Sequence, residues 1–164
     1  LKFNKDSLRT HPDIPLRIEK LTANFKFSST NPTTSEFSKL QKKAFESSVK
    51  IYFDNLRLDF ALYQLLSLHQ KNEIPEAEFC NSVAYLFKKV YLLKEKHTFG
   101  KYVEGVNPFS EEKNINEIRL FLNNLELKNI RKIGYYFCIE NESKVQDNLA
   151  FQDSFNFFKN LNKN

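Results

Sequence analysis

Methionine and tryptophan are absent from the 164 residues, and there are only three glycines, two cysteines and three histidines. Each shortage removes a class of chemistry. Phosphate-cradling loops need several glycines close together, so that backbone amides can approach the anion without a Cβ in the way. Glycines at 100, 105 and 134 cannot supply them. Cys80 and Cys138 stand far apart without a CxxC spacing, and they read as buried, reduced small hydrophobes rather than a disulfide. Helical metal sites place Glu and His three residues apart on one face, and neither that spacing nor HExxH occurs. His69 and His97 fall at the ends of apolar stripes, where an imidazole satisfies terminal carbonyls and the helix dipole. His11 lies among prolines and reads as solvated. A nucleophile elbow of the GxSxG type is missing as well, so no catalytic residue, metal ligand or cofactor is assigned. Apolar runs fall short of the roughly 20 residues of a membrane span, and no signal-peptide pattern is visible. The compartment stays open.

What remains is aromatic and cationic. The chain carries 17 Phe, 7 Tyr, 18 Asn, 20 Lys and 5 Arg, with a net charge of +5. Phe, Tyr, Asn, Lys and Ile share AT-rich codons, so part of this composition is genomic drift. The lysine excess is therefore weak evidence for a nucleic-acid partner. Arginine, the better bidentate contact to phosphates and bases, is the scarce cation.

Spacing predicts an all-α, single-domain helical bundle of four to five main helices, residues 33–164, behind an irregular N-terminal segment, residues 1–32. That segment carries Pro12, Pro15 and Pro32 and a short helix near 14–25, and it is expected to pack on the bundle. Thr33 to Glu36 has capping-box spacing. Two apolar stripes follow to His69, so 34–71 reads as the central element, about 55 Å long if continuous, with a kink near Asp54-Asn55. Ile74-Pro75-Glu76 opens the next helix. Its stripe of Phe79, Val83, Leu86, Val90 and Leu93 is the cleanest in the chain, and Gly100 reads as its C-terminal glycine. Leu62 and Leu86 are expected core residues. Thr98 to Pro108 reads as the longest loop, and Ser110 as the cap of a helix from Glu111 to Leu125. Residues 132–140 have β-propensity but no partner strand, so they are assigned to a helix. Ser143 is expected to cap a last helix with Val145, Leu149, Phe155 and Phe158 on its inner side.

Two surfaces are expected from this pattern. More Phe is present than one core needs, so Phe151, Phe157, Tyr135 and Tyr136 are expected to form an aromatic surface for a protein partner or for self-association. Lys39, Lys42 and Lys43, then Lys88 and Lys89, then Lys128, Arg131 and Lys132 form three basic clusters. These would make an RNA-binding stripe if they converged, and solvated helix backs otherwise. The expected function is a non-enzymatic helical interaction module. The alternative is an RNA-binding subunit of a ribonucleoprotein or defence complex, and a small-molecule site at inward-facing His69 and His97 is a third.

Overall fold

Among the residues described by the computed structural model (34–109, 112–145 and 148–163), every regular element is helical. The helices are α1 (Thr34–Asp54), α2 (Leu58–Gln70), α3 (Glu76–Glu95), α4 (Lys113–Asn124), α5 (Leu127–Asn141) and α6 (Leu149–Leu161). Two 3₁₀ turns, Phe99–Lys101 and Glu142–Lys144, complete the set. Six α-helices exceed the four or five expected, chiefly because 34–71 is two helices broken at 55–57 rather than one. No described helix is long and apolar enough to cross a membrane. The expected segment 1–32 and its packing lie outside the described residues, as does Thr33 of the capping box. The chain divides after Ser38, and Lys39–Asn164 is a compact unit with its own hydrophobic core.

Three helices end on the same device, and the scarcity of glycine gives it an unusual form. Leu56, Asn72 and His97 have φ of 57°, 54° and 53°, the left-handed conformation that usually calls for glycine. At each, two reversed hydrogen bonds close the helix in a Schellman pattern. Arg57 N donates to Tyr52 O at 2.8 Å and Leu56 N to Phe53 O at 3.1 Å. Glu73 and Asn72 do the same after α2, as do Thr98 and His97 after α3. The terminating residue of α3 is thus His97, not Gly100, whose φ is not positive. A left-handed conformation costs a non-glycine residue roughly 1–2 kcal/mol, and His97 is exposed with no ring contact among the described residues. His97→Gly is therefore expected to raise stability by about 0.5–1 kcal/mol, net of the extra chain entropy of glycine. Chemical denaturation checks this, and a lower midpoint would refute it.

The middle of the fold is α3, not the 34–71 region. Cys80, Val83, Ala84, Leu86, Phe87, Val90, Tyr91 and Leu93 are all buried, which covers most of its circumference. α2 packs against it through Ala61, Leu62, Leu65 and Leu68, all buried in the same cluster. α5 runs antiparallel to α3. Cys80 meets Asn141 at one end, Phe87 meets Phe137 in the middle, and Lys94 reaches the Leu125 carbonyl at the other. Both expected core leucines, Leu62 and Leu86, are buried.

α6 closes the core against α5 through one contact that only glycine permits. A Cβ added at Gly134 would lie 2.3 Å from the tip of the Phe158 ring, and Phe158 is itself buried. The ring sits where a side chain would otherwise stand. The β-rich run around Gly134 is helical, with its small residues Gly134 and Cys138 on the buried side.

Candidate functional site

The aromatic surface expected from sequence does not form as drawn. Phe151 is fully buried in the core, and Phe157 is half-buried, edge-on to Tyr91 at 5.5 Å and to Phe158 at 5.2 Å. Phe151 is thus a core residue rather than a surface one, while Phe157 keeps part of its ring exposed. The physical reason is spacing within α6: Phe151 precedes Phe155 by four residues and Phe158 by seven, so the three share one face, while Leu149 lies about 120° from Phe155. The cap of α6 is Asn148, whose side chain accepts from Ala150 N at 3.0 Å and Phe151 N at 3.2 Å, rather than Ser143, which lies in the preceding 3₁₀ turn. The helix therefore starts at Leu149, and its inner stripe is Phe151, Ser154, Phe155 and Phe158. Leu149, expected inside, is 86% exposed. Tyr135 is half-buried beside Phe155 at 6.3 Å, and only Tyr136, at 59% exposure, faces water.

Three of the eight residues in the basic clusters are committed to partners within the protein. Lys88 Nζ lies 2.6 Å from Asp153 Oδ2 and over the Phe157 ring. Lys89 Nζ sits 5.1 Å from the centre of the Tyr85 ring. Arg131 Nη1 donates to the Leu161 carbonyl at 3.3 Å, tying α5 to the end of α6. Lys39, Lys43, Lys128 and Lys132 are exposed and make no ion pair among the described residues, while the Lys42 side chain lies outside them. Lys94 is spent on the carbonyls of Asn123 and Leu125, at 2.9 and 2.6 Å, and its burial pushes its pKa down.

The polar residues singled out for chemistry are also accounted for locally. His69 stacks on Phe79, ring centres 4.0 Å apart, and its Nε2 meets Glu76 Oε2 at 2.9 Å. It is thus a hydrogen-bond partner of Glu76 rather than a cap for helix carbonyls. Lys144 Nζ holds the other Glu76 oxygen at 2.9 Å. Hydrogen bonds from Lys144 first and His69 second hold the Glu76 carboxyl below the usual carboxylate range. The Cys80 thiol donates to Asn141 Oδ1 at 3.4 Å, and burial, then the Glu76 charge, pushes its pKa up. The Cys138 thiol is pushed up to about 12 by burial. At neutral pH both stay thiols, and a thiol is a poor nucleophile.

An almost wholly apolar cleft lies where four helices meet, and sequence reading missed it. α2 contributes Leu62 and Leu66. The floor is α3, with Phe79, Val83 and Phe87. One wall is α4, with Ile118 and Phe121, and the other is α5, with Ile133 and Phe137. Together they enclose a cleft of about 440 Å³ whose one charged lining residue is Glu117. Phe121 is 43% and Leu66 39% exposed, so apolar carbon reaches water at the mouth. A second cleft of about 460 Å³ lies beside Tyr52, Phe60 and Tyr63. There the Phe60 ring already stacks on Tyr52 at 5.5 Å and carries the Arg57 and Arg119 guanidinium groups 4.6 and 5.5 Å from its centre. The four-helix groove was half legible. Phe79 and Val83 belong to a stripe the spacing shows, but a groove depends on which helices stay apart, and local periodicity does not report that. No family model matches the chain, and neither does any curated protein or solved structure.

Proposed function

We propose that this chain is a helical-bundle interaction module, not an enzyme, which docks a protein partner through the groove between α2, α3, α4 and α5. One observation carries the reading: nine apolar side chains and a single carboxylate line an open cleft. Apolar surface left in water is unfavourable by about 25 cal/mol per Å², and contiguous patches of this kind mark docking sites. The surplus of phenylalanine points here too, since Phe121 is one of only two strongly exposed Phe rings among the described residues, the other being Phe109. The groove replaces Phe151 and Phe157 as the aromatic surface. An RNA-binding role is less well supported, because Lys88, Lys94 and Arg131 serve internal partners.

The test uses a short synthetic amphipathic helix with Leu and Phe at positions i, i+3, i+4 and i+7, the pattern grooves of this kind accept. The double variant Leu66→Ser/Phe121→Ser is expected to keep the helical spectrum and thermal midpoint nearly unchanged, because both side chains are partly in water already. Its affinity for the peptide is expected to fall at least about tenfold, since lost burial of two such side chains exceeds 1.4 kcal/mol. Equal binding by the wild type and the double variant would overturn the reading.

A further inference from the structure

Resting on the docking reading above, we infer that the occupant of the groove is a partner's amphipathic helix, two to three turns long, that carries Lys or Arg beside its apolar ridge. The length follows from the floor. Phe79 and Phe87 are eight residues apart on α3, which is about 12 Å at 1.5 Å per residue. A longer occupant would leave the floor, and a shorter one would leave Phe79 or Phe87 wet.

The charge follows from the walls. Glu117 lines the groove on α4 and makes no ion pair or hydrogen bond among the described residues, although the chain as a whole carries +5. Glu140 extends the acidic character of the opposite wall, because it follows Phe137 by three positions on α5 and so shares its stripe. Lys144 lies close enough to feel the Glu140 charge, but its ammonium is hydrogen-bonded to Glu76. Lys132, by contrast, precedes the groove residue Ile133 and points about 100° away from it. An apolar helix seated in the groove would strip water from Glu117 and offer nothing in return, which is costly for a carboxylate. A helix with a cation at that position offsets the loss, and one with a carboxylate there adds repulsion. Charge placement of this kind selects partners more than it adds affinity.

The experiment compares three peptides with the same Leu/Phe ridge and Lys, Gln or Glu on its flank, titrated against the full chain at low and high salt. The Lys peptide is expected to bind the wild type about tenfold more tightly than the Glu peptide, and Glu117→Lys is expected to reverse that order. High salt should narrow the difference. Equal affinity for all three peptides, with Leu66→Ser/Phe121→Ser still weakening each, would overturn the inference about charge and leave the groove reading standing. A dimer that Phe121→Ser disperses and the peptides fail to displace would make a second copy the occupant and overturn the inference. Failure of all three peptides to bind would overturn both.

Discussion

Arg119→Ala is expected to lower the unfolding free energy by about 3–5 kcal/mol, because it strands a carboxylate that has no access to water. Asp59, in the first turn of α2, is fully buried, and Arg119 on α4 reaches it with Nε at 2.9 Å from Oδ2. Arg57 is nearby, but its Nε stays 3.6 Å from Asp59 Oδ1, beyond hydrogen-bond reach, and both of those atoms lack any hydrogen-bond partner. Arg119 is therefore the side chain that hydrogen-bonds Asp59, while Arg57 adds a longer-range ion pair and the positive end of α2 gives some help. Two controls separate burial from surface pairing. Glu104→Gln removes the exposed carboxylate that Arg119 Nη2 also holds, at 2.6 Å, and should cost no more than about 1 kcal/mol. Asp59→Leu/Arg119→Met removes both buried charges and should restore more than half of the loss seen with Arg119→Ala. Urea unfolding measures all three. A loss below about 1 kcal/mol for Arg119→Ala would show that Arg57 swings in to take over the carboxylate.

This pair also marks the limit of what the sequence discloses. Asp59 and Arg119 are 60 positions apart, and no periodicity links them. In the stripes they read as two ordinary charged residues. By contrast, the start of α3 follows from Pro75 and the acids behind it, and its inward stripe follows from steps of three and four. The break after Asp54 is legible because Asp54 and Asn55 interrupt the stripes. Its mechanism is not, since Leu56 is a poor residue for a left-handed turn and nothing local announces it. The same holds for His97, whose place near a helix end follows from the spacing while its left-handed backbone does not. The helical state of 132–140 follows from the lack of a partner strand. That Gly134 is the seat of Phe158 does not, because it depends on where α6 begins. The groove is the clearest case of the same kind. Each lining residue belongs to an ordinary apolar stripe, and the opening exists because α4 and α5 stand apart over α3.

The inner stripe of α6 is the error with the largest energetic consequence, and it yields the sharpest prediction. A stripe drawn through Val145, Leu149, Phe155 and Phe158 leaves Phe151 on its flank, yet Phe151 stands four residues before Phe155 and seven before Phe158 and therefore shares their face. Phe151 and Phe158 are accordingly fully buried, and Leu149 is the outlier in water. Phe151→Ala is then expected to lose about 3–5 kcal/mol, the transfer energy of the ring plus the cavity it leaves. At about 2–4 °C per kcal/mol for a chain of this size, the thermal midpoint falls by roughly 6–20 °C. Serine should do at least as much harm, because its hydroxyl would need a partner in an apolar site. Phe157→Ser should cost less, since that ring is half-buried and part of its area stays in water. Leu149→Ser serves as the control and should shift the midpoint by no more than about 1–2 °C, as surface substitutions do. Near-native midpoints for Phe151→Ala and for Phe151→Ser/Phe157→Ser would place both rings outside the core and return them to a partner surface.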